Sequence, residues 1–172
     1  MRADRVVLLL ALLVLAPLLA SGCMYSFVGG GLPAHVRTIA IVPFDNDTPM
    51  PLIEADLERA LRDRIPRDLG VRVAAEDVAD AVLRGRITGY DEPRPGLQRR
   101  PGAQGVEVVQ QRIRVSFEAE IYDQVRDRPI WTGRAVTAEG EYSPDREDSS
   151  AGRERAVRDI VRLIVDGAQS DW

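Results

Sequence analysis

The chain contains no lysine, a single cysteine and a single histidine among its 172 residues, and only 5% of its residues are aromatic. One cysteine excludes an intrachain disulfide, a paired-cysteine redox motif and a thiolate metal site. One histidine, His35, excludes a histidine-rich metal centre and a His-Glu-x-x-His helix. It sits beside a glycine run, where burial and orientation are hard to arrange, and reads as a lone surface histidine rather than a general base. There is no Gly-x-Ser-x-Gly elbow, and Gly29 to Gly31 lack the strand before and the Lys-Ser or Lys-Thr after that a phosphate-cradling loop needs. No repeat is present. Without a nucleophile and base, a carboxylate pair in a cleft or a metal cluster, no enzyme, no metal and no cofactor are expected. Every cation is arginine, and the net charge is −4, so a nucleic-acid partner is not expected.

What is present begins with a leader. Arg2 and Arg5 supply a positive start, Val6 to Leu19 is a nearly unbroken apolar run, and small residues follow it. The run is shorter than the ~20 residues that cross a bilayer, so removal is the better reading. Leu19-Ala20-Ser21-Gly22-Cys23 resembles a bacterial lipobox, in which a peptidase cuts before a cysteine that has received a diacylglyceryl group. The plainer alternative is a secreted protein with an incidental cysteine. Residues 1–22 are expected to form a lipoprotein signal peptide, 23–35 a lipidated tether and 36–172 a single domain, with Cys23 the lipidation site. The segment removed carries two arginines and one aspartate, so the remaining 150 residues hold 21 basic and 26 acidic side chains, net −5. Met24, where enteric proteins retained in the inner membrane tend to carry aspartate, points to the outer membrane.

Along the domain, Val36 to Phe44 is a β-branched, almost uniformly apolar run, expected as a strand covered on both faces and ended by Pro43. Asp45 to Pro49 reads as a turn; its Asn46-Asp47-Thr48 sequon is a coincidence of composition. Ile53, Leu57, Leu61 and Ile65 recur at helical spacing, and Pro66 is expected to end that helix. Leu69 to Val73 is a short strand signal, and Ala79 to Tyr90 leads into another. Pro93 to Gly105, with Arg94, Arg99 and Arg100, reads as an exposed loop. From Arg112 to Tyr122, Ile113, Val115, Phe117, Ala119 and Ile121 alternate with charged and polar residues. That is a strand with one buried face and one charged face. Val125 to Pro129 turns the chain, and Ile130 to Tyr142 returns antiparallel, with Trp131 as a packing residue rather than a ligand-stacking one. Serines between 143 and 150 can cap a last helix, whose stripe is Val157, Ile160, Val161, Ile164 and Ala168. The expected fold is α+β: a mixed sheet of about four to five strands with two helices on one face, in β-α-β-β-β-β-α order. Glu118 and Glu120, beside Arg112 and Arg114, read as a solvated cross-strand charge pattern.

Three segments resemble the LptE lipopolysaccharide-assembly lipoproteins of Gram-negative outer membranes. They are Cys23-Met24-Tyr25-Ser26-Phe27 with Gly30-Gly31-Leu32-Pro33, the run Val36 to Thr48 leading into a helix, and Ala79 to Ile87. The resemblance implies a non-enzymatic partner of the outer-membrane barrel LptD, seated in its lumen and assisting lipopolysaccharide to the outer leaflet. A plug inside a large barrel meets a polar interior, so a charged exterior is compatible with enclosure. Arginines also bind phosphates bidentately. Arg94, Arg99, Arg100, Arg112 and Arg114 are the candidates for lipid A phosphate contacts, though no motif of the family assigns them. A second reading is a lipid-anchored ligand-binding or secretion-accessory domain, since similar βα openings occur in other lipoproteins. A cell-wall enzyme is a remote third.

Overall fold

A computed structural model of the chain describes residues 31–93 and 110–170. Cys23 with its leader, and Arg94, Arg99 and Arg100, lie outside the described residues. Within them the order is β1 (Thr38–Ile41), β2 (Asp45–Asn46), α1 (Leu52–Leu69), β3 (Arg72–Val73), β4 (Ala81–Asp91), β5 (Gln111–Asp123), β6 (Arg128–Tyr142) and α2 (Ser149–Ser170). The sheet runs β3-β1-β4-β5-β6, with β2 also on β4. The architecture is the expected α+β, with two helices against a mixed sheet.

β1 is parallel to both β3 and β4, so β1-α1-β3 is the crossover unit expected of a strand-helix-strand opening. Its residues Ile39, Ala40 and Ile41 are all buried. Ile39 and Ile41 face the helices, while Ala40 joins Val82 and Ala79 in a small cluster on the other side. β1 finishes just before Pro43, where the missing donor led one to expect the strand's end. Val42 still donates to the Leu83 carbonyl at 3.0 Å, and pairing resumes when β2 meets Arg86 and Ile87 of β4. Pro43 separates β1 from β2. The turn then follows at Asn46, whose Oδ1 accepts the Thr48 amide (3.0 Å) and hydroxyl (2.7 Å) while its Nδ2 donates to the Met50 carbonyl (3.0 Å).

α1 runs through Pro66 to Leu69 and stops at Gly70, which adopts φ 68°, a left-handed cap. Pro66 was expected to end this helix. It is tolerated because a proline in the last turn disturbs few backbone bonds, Arg67 Nε donates to the Asp63 carbonyl at 2.9 Å, and buried Leu69 holds the final turn to the core. β6 likewise begins earlier than expected, so that Pro129 lies inside it opposite Tyr122. β6 is the terminal strand of the sheet, where a missing ladder donor costs little.

Ile113, Val115, Phe117, Ala119 and Ile121 of β5 are all buried, and with the stripes of α1 and α2 they form one core. The helices lie parallel: Arg153 reaches Asp56 (3.3 Å) near their starts and Gln169 Nε2 reaches the Asp68 carbonyl (3.3 Å) near their ends. α2 is started by Asp148, whose carboxylate accepts the Ser150 amide at 2.9 Å, so an aspartate caps where serines were expected to. This helix crosses β6 at backbone contact. A Cβ placed on Gly140 would lie 1.9 Å from the Gly152 carbonyl oxygen. Trp131 packs against the core, over Gly167 of α2.

Candidate functional site

The face of the sheet away from the helices is a lattice of opposite charges set by strand register. Directly opposed pairs are Arg84 with Glu120, Arg112 with Glu141 and Arg114 with Glu139. Arg84 places Nε and Nη2 at 3.0 and 2.7 Å from Glu120 Oε2, and its guanidinium stacks 5.4 Å from the Tyr122 ring centre. Arg112 bridges Glu141 (2.5 Å) and Glu139 (3.1 Å), and Arg114 bridges Glu139 (3.2 Å) and Asp91 (3.8 Å). Arg86 turns instead to Asp45 (3.2 Å) and Asp47 (3.5 Å). The Glu141 carboxylate beside Arg112 raises that guanidinium's already high pKa. Arg112 and Arg114 are thus brought together, exposed, with their forks already engaged by carboxylates. A phosphate at this face would compete with glutamates rather than meet bare cations.

A second polar cluster closes the end of the sheet where β1 and β4 begin. Asp80 Oδ2 accepts the Arg37 amide, the Thr38 amide and the Thr38 hydroxyl, each at 2.9 Å, and the Thr38 hydroxyl accepts the Asp80 amide in return. The Arg37 amide, followed by the Thr38 hydroxyl, holds the Asp80 carboxyl below the usual aspartate value. Asp123 is fully buried. Its Oδ1 accepts the Val125 and Arg126 amides at 3.0 Å, and its Oδ2 takes His35 Nε2 at 2.6 Å. Burial pushes the Asp123 carboxyl up, but the Arg126 amide, His35 and the Val125 amide together outweigh it and lower the pKa. Gln124 completes the cluster, its Nε2 donating to the carbonyls of Glu76 (2.8 Å) and Ala79 (2.9 Å).

His35 is therefore not the lone surface residue expected from its glycine-rich surroundings. It is a partly buried partner of a buried carboxylate 88 positions away. The signal for Asp123 was in the sequence: it continues the odd-numbered parity of 113 to 121, which places it on the buried face of β5. Nothing local announces its histidine partner.

Among the described residues no group of three or more His, Cys, Asp or Glu side chains is arranged to hold a metal ion. A groove of about 450 Å³ lies between the end of β1, β3 and α1, lined mostly by Ala and Val with Arg62 and Glu76. Arg62 is occupied by Glu58 (2.9 Å) and the Ile41 carbonyl (3.4 Å), which leaves Glu76 as the other charged side chain of the lining.

The fold and its surface define a two-layer α+β domain whose open sheet face is a lattice of ion pairs. The chain belongs to the lipopolysaccharide-assembly family LptE, whose profile matches residues 36–167. Among solved structures, the hypothetical protein CT253 from Chlamydia trachomatis shares the fold, with a TM-score of 0.51 and 10% identity over 77% of this chain and 98% of that one. Lipoprotein GNA1162 from Neisseria meningitidis matches with a TM-score of 0.45 and 16% identity, covering 76% of this chain and 99% of its own. The PelC dodecamer from Paraburkholderia phytofirmans matches with a TM-score of 0.45 and 18% identity, covering 77% and 91%. No curated protein sequence matches the chain.

Proposed function

We propose that this chain is a lipid-anchored, non-enzymatic partner of an LptD-type outer-membrane barrel, seated in the barrel lumen and assisting lipopolysaccharide to the outer leaflet. The observation that carries the reading is the family match, which spans nearly the whole described domain from β1 into α2. The surface is compatible with it for a physical reason. The open sheet face carries paired charges rather than an apolar patch, and such a face can be enclosed by a polar lumen without desolvating unpaired ions. Cys23 is the anchor in this reading, and the domain acts on the periplasmic side of the outer membrane. Contact with lipid A phosphates by Arg94, Arg99, Arg100, Arg112 or Arg114 remains part of the proposal; for the last two it requires exchange of glutamate for phosphate.

The test is extraction of the membrane-bound protein in mild detergent. Co-purification of a large outer-membrane barrel in a fixed ratio is expected. Recovery of the chain alone, or as rings of this chain without a barrel, would point to the ligand-binding or secretion-accessory alternative.

A further inference from the structure

We infer that the loop from Thr48 to Leu52, which opens α1, is where this domain grips its protein partner: an apolar tip with an acidic rim, seated in an apolar hollow that arginine or lysine side chains border. The inference rests on the reading of an enclosing barrel as that partner, and its own content is which surface of this chain carries the contact.

The first observation is exposed apolar surface. Leu52 is 58% exposed, Pro49 and Pro51 beside it are exposed, and exposed Ala55 extends the patch one turn along the helix. Met50 is the foot of the tip, half-buried against the core. The stripe that packs α1 onto the sheet, Ile53, Leu57, Leu61 and Ile65, leaves Leu52 outside it. The second observation is rigidity. Asn46 holds the Thr48 amide and hydroxyl and the Met50 carbonyl, and the Met50 amide donates to the Thr48 hydroxyl oxygen at 3.3 Å. Pro49 and Pro51 remove further backbone freedom. A tip already fixed in shape loses little entropy on docking.

The third is charge. Asp45 and Asp47 flank the loop and share the guanidinium of Arg86, and exposed Glu54 makes no ion pair among the described residues. Asp56, further along α1, is taken by Arg59 and Arg153 at 3.3 Å each. The Asp47 amide bonds the Ile87 carbonyl, so the loop lies beside the last residues of β4, at the opposite end of the sheet from Asp123. There Asp91 has Arg114 at 3.8 Å, and Glu92 accepts the Tyr90 hydroxyl. Carboxylates thus outnumber guanidinium groups around the tip, and that sign selects the occupant. An anionic lipid surface would be repelled. A second copy docked about a two-fold axis would bring Asp45, Asp47 and Glu54 toward their own equivalents. A protein surface with cations around an apolar hollow satisfies both the tip and its rim.

The experiment extracts the full chain with its barrel in mild detergent, from cells carrying variants at matched expression. Leu52→Ser should lower the barrel recovered per chain by about tenfold, as removal of one central apolar anchor does. Glu54→Arg should also lower it, and more in low salt than in high, because repulsion from the partner's cations is screened. Val78→Ser with Val125→Ser, exposed valines at the other end of the sheet, should leave the ratio unchanged, and matched thermal melts establish that the variants are folded. Folded Leu52→Ser and Glu54→Arg variants that hold the barrel in full would overturn the inference. So would a photo-crosslinking residue in place of Ala55 that captures only lipopolysaccharide or a second copy of this chain. Failure of the underlying reading has a separate signature: the unaltered chain brings down no barrel, and the inference falls with it.

Discussion

Asp123 shows how one residue can hold two parts of a chain in place. Its carboxylate is buried, accepts two amides of the turn that follows β5 and binds His35. Replacing it with alanine removes the acceptor for all three donors. Asp123→Ala is expected to cost about 2–4 kcal/mol in urea unfolding, since buried donors left without partners lose more than the bond itself. Asp80 and Asp123 both have lowered pKa values in the fold, so the unfolded chain binds protons more readily than the folded one. Their contribution is therefore complete at neutral pH and is lost as the pH falls below about 4, through their folded values. Urea midpoints measured against pH should stay level above about pH 5 and drop below it, and Asp80→Asn should flatten that acid limb. A midpoint that held constant through the acid range would contradict the clamp. Gly70 offers a test of the backbone alone. Its φ is 68° and a Cβ there meets nothing within 4 Å, so Gly70→Ala should cost about 1 kcal/mol from left-handed strain without a clash.

Elements in this domain are held by register and close approach. The crossing of α2 over β6 at Gly140 and Gly152 has no room for a methyl group, because the nearest atoms are helix backbone. Gly140→Ala is expected to displace the first turn of α2 and to destabilise the fold by at least about 3 kcal/mol, visible as a lowered unfolding midpoint. The charged lattice behaves oppositely. Arg112→Gln or Arg114→Gln should change stability by less than about 1 kcal/mol, because exposed pairs gain little over solvation. The elements themselves were legible from period and parity: the alternation in β5 and the stripes of both helices each hold in the structure. What the sequence did not show were decisions made by tertiary context. Pro66 and Pro129 each looked like boundaries, yet a buried Leu69 and a sheet edge each carried the element past the proline. The Gly140 crossing and the His35 partner were hidden for the same reason, since both depend on residues distant in the chain. The anchor candidate Cys23 and the arginines at 94, 99 and 100 were singled out from sequence and lie outside the described residues.

At the scale of the whole molecule, the domain has one core, a paired-charge outer face, and an end to which the N-terminal segment is clamped. Cys23→Ala should release the protein from the membrane fraction while leaving its thermal midpoint unchanged, because in the anchor reading the lipid tethers the domain rather than packing within it. Unfolding of that variant would show that the N-terminal segment is structural. The lumen reading is tested most directly by a photo-crosslinking residue in place of Glu118, on the open sheet face opposite Arg86, in intact cells. An adduct with the mass of a large outer-membrane barrel is expected, and it should disappear when the crosslinker replaces buried Ile121. No adduct at Glu118, or an adduct only with a second copy of this chain, would contradict enclosure by the barrel.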